Sequence, residues 1–323
     1  MPPHLPPADA EVILPAQEAV PGEPRQITLY LRYPGGALAN VAPSTGLLLS
    51  LHNWGGTAFR NAPQPDPAEL DVVIIGVDYY QSGDQEGALV PYDASYFQAV
   101  DALRALHFVY QGLTDFDRAR LYATGGSGGG HVSLMVNKLA PRTLACLVDC
   151  SGMASLTDNL AYGDDSAHYS RDPASPAYLS PAMSEIRDVG HPAHLELMAR
   201  LGNSCQVVIL HGEDDPVCLA PDKRRVAEAM AAAGLRVDAH FFTAADVDGE
   251  LVENSGHQIG DRTALLRHFA GRYLQPGSTD LCRLAGPCDF DLRETLTYPV
   301  TGGAYEVSYA EGYPVLAFQA VSP

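Results

Sequence analysis

The segment Leu121-Tyr122-Ala123-Thr124-Gly125-Gly126-Ser127-Gly128-Gly129-Gly130-His131 runs from a short apolar stretch through Gly-x-Ser-x-Gly into a helical pattern. A serine hydroxyl exposed on a turn this tight needs neighbours without side chains, and Gly125 and Gly129 stand two residues either side of Ser127. The following helix, over Gly128 to Leu139, would aim its N-terminus at the serine, so the Gly128 amide is a candidate donor to an oxyanion. Competing readings of a glycine-rich strand-to-helix turn fail on spacing. No frame within residues 124 to 133 puts glycines at i, i+2 and i+5, as a dinucleotide fingerprint requires. A Walker loop needs Lys-Ser/Thr after its last glycine, where this chain has His131 and Val132.

A serine nucleophile needs a base, and the base needs a carboxylate to fix its tautomer. Gln206 to Cys218 read as a buried strand ending in a carboxylate-rich loop, His211-Gly212-Glu213-Asp214-Asp215-Pro216-Val217. Here the chain resembles the α/β-hydrolase superfamily, in which a strand followed by His-Gly-x-x-Asp-x-Val carries the acid of a catalytic triad. The resemblance places that acid at Asp215, with Asp214 next in line and Asp149, after the preceding strand, third. The base is then expected further on, before the last helix, where Asn254-Ser255-Gly256-His257-Gln258 supplies His257. The order Ser127, Asp215, His257 is the hydrolase order. His131, His52 and His211 are expected to be structural. His191 and His194 form His-x-x-His without a third ligand, so no metal is expected.

The second oxyanion donor is expected after an early central strand, where His52-Asn53-Trp54-Gly55-Gly56-Thr57 resembles the family's His-Gly loop but carries Asn53 where glycine is common. The Trp54 amide is the first candidate and Gly55 the second; Asn53 offers a side-chain donor. Trp54, Tyr79 and Tyr80 are candidate pocket walls, with ordinary packing as the alternative.

These residues must be held by a frame. Gln26 to Tyr33 alternates as a strand. Gly46 to His52 and Val72 to Asp78 are continuous apolar runs, as in parallel strands buried on both faces. Further strands are expected at Arg120 to Ala123, Leu144 to Val148, Gln206 to Leu210 and Val237 to Phe242. Helices are expected at Ala94 to Tyr110, Gly128 to Leu139, Pro221 to Ala233 and Thr263 to Tyr273. The alternation predicts a three-layer α/β fold with a mostly parallel central sheet. Residues 152 to 203, too long for a crossover, are expected to form a cap over the strand C-termini. After residue 275, alternating apolar residues around Gly302-Gly303 and Gly312 suggest a small antiparallel extension over 276 to 323.

With 39 acidic and 20 basic residues the net charge is −19, which disfavours nucleic acid and anionic membranes as partners and leaves neutral or cationic small molecules. The N-terminal Met1-Pro2-Pro3-His4-Leu5-Pro6-Pro7 lacks a basic n-region and an apolar h-region, so the expectation is a cytoplasmic protein. Six scattered cysteines do not make a disulfide framework; Cys282 and Cys288 are expected to be free thiols.

The resemblance covers roughly residues 25 to 275. It implies hydrolysis of a small-molecule carboxylic ester through an acyl-enzyme, with no cofactor. A prolyl-oligopeptidase-like peptidase is the first alternative, weighted down because the chain lacks the length for a large propeller. A hydrolase-like protein that binds without turnover is the second. An oligomer is left open.

Overall fold

The computed structural model describes residues 3–83, 90–163 and 166–321. Eight strands form one sheet: β1 (Ala10–Pro15), β2 (Gln26–Arg32), β3 (Gly46–Leu51), β4 (Val72–Asp78), β5 (Leu121–Gly126), β6 (Cys146–Cys150), β7 (Gln206–Gly212) and β8 (Arg236–Phe242), in the spatial order β1-β2-β4-β3-β5-β6-β7-β8. The β1–β2 and β2–β4 pairs are antiparallel and all later pairs parallel. The fold is a three-layer α/β fold with a mostly parallel sheet, as the alternation of strand and helix required.

Successive residues of the apolar runs alternate between two cores. Leu47, Leu49 and Leu51 join Val73, Ile75 and Val77 on one face. Leu48 joins Val72, Ile74, Val148 and Val208 on the other. A strand buried on both faces has no polar side to show, which is why these runs read as unbroken hydrophobicity.

The helix Gly128–Leu139 is buried along all twelve residues. It packs against the helix Tyr96–Gly112 and strands β5 and β6. A separate antiparallel sheet, β9 (Thr295–Val300), β10 (Gly303–Ser308) and β11 (Val315–Ala320), follows later in the chain, and its segment meets the C-terminal end of this helix. The hydroxyls of Tyr298 and Tyr309 donate to the carbonyls of Lys138 and Leu139.

The excursion between β6 and β7 divides. Its first part, with the helix Asp158–Tyr162, joins Met153, Leu156, Leu160, Ala167 and Leu179 into a cluster with Tyr92, Cys218 and Trp54. Its second part, the helices Pro181–Arg187 and Pro192–Arg200, contacts β9 instead. The segment expected to form one cap thus packs in two different places. Strand β1, inside the proline-rich leader, was absent from the sequence expectation.

All six cysteines are free thiols and buried. No helix among the described residues is long and apolar enough to cross a membrane.

Candidate active site

Because β3, β5, β6, β7 and β8 run parallel, the loops that follow β3, β5, β7 and β8 emerge at one edge of the sheet. Ser127, at the end of β5, is held at φ 54°, ψ −123°, a backbone conformation that non-glycine residues rarely adopt. Its amide donates to the Cys150 carbonyl at 2.8 Å, which pins the turn to β6. A methyl group at Gly125 would lie 2.3 Å from the Gly129 carbonyl oxygen, and one at Gly129 would lie 2.5 Å from the carbonyl oxygens of Leu51 and His52. The two glycines are thus required by contacts on opposite sides of the turn.

His257 Nε2 lies 2.8 Å from Ser127 Oγ, and His257 Nδ1 lies 2.8 Å from Asp215 Oδ2. The other oxygen, Asp215 Oδ1, accepts the amides of Val217 and Cys218 at 2.8 and 2.9 Å. Burial opposes ionisation of Asp215, but the bonds from His257 and these amides outweigh it and hold the carboxyl below its ordinary value. His211 Nε2 donates to the Cys218 carbonyl at 2.7 Å and so ties the strand end to the acid's loop.

His257 is presented by a loop closed on itself. Asp248 Oδ1 collects the amides of Glu250, Leu251 and Val252, and Glu253 donates to the Ile259 carbonyl at 2.8 Å. Asp214, the second candidate for the acid, instead accepts the Ser255 hydroxyl at 2.7 Å, and its amide donates to the Ser255 carbonyl. It clamps the His257 loop to the Asp215 loop. Asp149, the third candidate, is fully buried against Lys223 Nζ at 2.7 Å and accepts the Gly152 amide.

The loop after β3 brings the Trp54 amide beside Gly128: a methyl on Gly128 would lie 2.8 Å from that nitrogen. The Trp54 ring stacks on Tyr92 at 4.0 Å. Tyr79, expected as a pocket wall, is 3% exposed, stacks on His52 at 4.0 Å and donates its hydroxyl to the His52 carbonyl. It supports the loop from beneath. Tyr80 lies under the Arg25 guanidinium and lines a separate aromatic cavity of about 350 Å³ with Tyr96, Phe97, Tyr169 and Tyr305. Neither tyrosine faces the triad as a wall.

The remaining histidines have structural partners. His131, at 0% exposure, bonds Ser95 Oγ and the Arg187 carbonyl, each at 2.9 Å. His191 and His194 stack on each other, and His194 Nε2 donates to the Pro299 carbonyl. They join no cluster with the spacing of metal ligands among the described residues; the one such cluster, Asp215, Cys218 and His257, includes two members of the Asp215–His257–Ser127 hydrogen-bonded path.

Sequence reasoning missed Arg262. Its side chain lies where residue 126 would place a side chain, since a methyl on Gly126 would sit 2.1 Å from Arg262 Nε. The bare glycine in the x position of Gly-x-Ser-x-Gly was the available signal.

The whole-chain likenesses are to solved structures. Pyrococcus horikoshii acylaminoacyl peptidase is 12% identical with a TM-score of 0.58, over 84% of this chain and 43% of that one. Puromycin hydrolase is 17% identical with a TM-score of 0.58, over 86% and 41%. Porphyromonas gingivalis dipeptidyl peptidase 4 is 13% identical with a TM-score of 0.54, over 83% and 35%. The protein thus has the α/β-hydrolase fold of these enzymes and spans well under half of their length. A family described only as a protein of unknown function, DUF2920, matches residues 165–269, which include Asp215 and His257 but not Ser127. No curated protein matches the sequence.

Proposed function

We propose that the protein is a serine hydrolase that cleaves an acyl bond through an acyl-enzyme on Ser127. The observation that carries this reading is the continuous path Asp215–His257–Ser127, with both links at 2.8 Å. In this reading His257 takes the Ser127 proton as Oγ attacks the carbonyl, then gives it to the leaving group. Asp215 keeps the Nδ1 proton in place and stabilises the imidazolium. The amides of Gly128 and Trp54 donate hydrogen bonds to the developing oxyanion. Neither amide has a protein acceptor among the described residues. Water then enters, and the same base releases the acid.

Among acyl bonds, the solved structures of similar fold favour a peptide or other amide, since those named above are titled peptidases or a puromycin hydrolase. Carboxylic esters pass through the same acyl-enzyme with an easier first step and are the second reading, supported by the same geometry. The experiment is labelling with a fluorophosphonate, followed by rates on aminoacyl p-nitroanilides and p-nitrophenyl esters. Labelling at Ser127 with turnover of either series supports the reading, and turnover of the anilides assigns the amide. Absence of both labelling and turnover would overturn it.

A further inference from the structure

Beside Gly126 lies a half-buried cation, Arg262, that forms no ion pair with a carboxylate among the described residues. Its only protein hydrogen bond among the described residues is from Nη1 to the Asn61 carbonyl, at 2.9 Å. The ionisable groups that act on it are Cys150 and Tyr79, both ordinarily neutral, and burial works against its charge. A guanidinium has five N–H donors, so most of this one's capacity is unused. In a chain with 39 acidic residues, pairing this arginine would have needed only one nearby carboxylate.

The guanidinium also lines a cavity of about 320 Å³, together with Asn53, Asn61, Gln258, Asp261 and Thr263. Two of these are chain neighbours of the site: Asn53 precedes Trp54, and Gln258 follows His257. Asp261 and Thr263 have partners of their own, whereas the buried Asn53 Oδ1 has none among the described residues. Asp261 caps its helix by accepting the Ala264 amide at 2.7 Å, and Thr263 Oγ1 accepts the Gln64 amide at 2.9 Å. Arg60, the other cation of this loop, points to the Gly55 carbonyl. The cavity borders the His257 loop, and the leaving group must stand beside His257 to receive its proton.

We infer that Arg262 binds a carboxylate carried by the leaving portion of the substrate, so that the protein selects acyl derivatives of hydroxy acids or amino acids over their neutral counterparts. The inference rests on the serine-hydrolase reading above and adds the class of leaving group. Planar bidentate pairing with a carboxylate is the strongest use of a guanidinium in a partly dry site. Gly126 makes the arrangement possible, because any side chain there would displace the guanidinium. The chain's net negative charge slows the approach of an anion from afar without deciding affinity at this one position.

The test compares 4-acetoxybenzoate with its methyl ester in the unsubstituted protein, Arg262→Gln and Arg262→Lys. The ratio of kcat/KM for the two esters cancels their intrinsic reactivities within each comparison. The expected result is a fall in that ratio of about tenfold or more in Arg262→Gln, mainly through KM, with partial recovery in Arg262→Lys. Fluorophosphonate labelling of Ser127 in each variant checks that the site is folded. If both esters lose rate in parallel, or the ratio does not move, Arg262 merely ties down the Asn61 loop and the inference falls. Should the protein turn over neither ester, the serine-hydrolase reading is in question separately. Calorimetric binding of 4-hydroxybenzoate to Ser127→Ala then decides, and binding that is absent or survives Arg262→Gln overturns the carboxylate site.

Discussion

Gly128 and Trp54 approach each other so closely that a single methyl group on Gly128 would lie 2.8 Å from the Trp54 amide nitrogen. The loop after β3 and the helix after β5 therefore face each other across a gap that only hydrogen can line. Gly128→Ala is expected to push the Trp54 amide away from the oxyanion and lower kcat about a hundredfold, the usual cost of losing one such donor. The cost in stability should be much smaller, because the loop can move into solvent. Steady-state rates with a urea titration of the same sample check this, and equal losses in both would contradict it.

The two neighbouring carboxylates of the acid loop are expected to separate by mutation. Asp215→Asn removes the charge opposite His257 and should lower kcat about 10⁴-fold without unfolding the protein. Asp214→Asn keeps an acceptor for the Ser255 hydroxyl and should cost less than about tenfold, through a looser His257 loop. Rates of the two variants on one substrate decide the assignment, and reversal of the order would transfer the acid role to Asp214.

Behind the nucleophile's helix, Lys223 and Asp149 form an ion pair at 2.7 Å with neither side chain more than 1% exposed. Removing either partner strands a buried charge, so Lys223→Met is expected to cost about 3–5 kcal/mol. Lys223→Met combined with Asp149→Asn should be less damaging than the sum of the single changes. Chemical denaturation of the four proteins measures the coupling, and simple additivity would show that the pair is not a unit.

Acid should destabilise the fold through its buried histidines. Burial lowers His131 from 6.5 to about 3 and His52 from 6.5 to about 4. Both shifts are depressions, so the native state binds fewer protons than the unfolded chain between the two values. Their contribution to stability is then fully present above pH 6.5 and lost as pH falls through about 4 to 3. Asp101, raised to about 6 by burial against the pull of Arg25, acts in the opposite sense over its own range. The expected outcome is a net loss of stability from pH 6.5 downward, with a shallower slope in His131→Gln. Urea midpoints measured at a series of pH values test it, and parallel slopes in the two proteins would remove His131 as a contributor.

The parallel strands and the Ser-Asp-His order were legible because each depends on local sequence: unbroken apolar runs for strands buried on both faces, glycines for the elbow, and a His-Gly-x-x-Asp string at a strand end. Other features depended on partners distant in the chain. Strand β1 has an alternating half-exposed pattern and only one neighbour, β2, so its apolar signal is weak. The helices of the excursion are five to nine residues long, too short to show a period. Tyr79 and Tyr80 are adjacent in sequence just past the end of β4 yet face different surroundings, which their shared type concealed. Arg262 was invisible because its place is set by a vacancy 136 positions earlier, at Gly126.

The contacts at the C-terminal end of the Gly128–Leu139 helix tie that helix to residues far along the chain. The Tyr298 and Tyr309 hydroxyls reach back 160 and 170 residues to the carbonyls at the end of that helix, and Asp289 reaches back to Arg142. Until the ribosome has made this segment, those carbonyls lack these partners. The frame that carries Ser127 therefore draws on residues later in the sequence than Ser127, Asp215 and His257, and it settles only after that segment has been made.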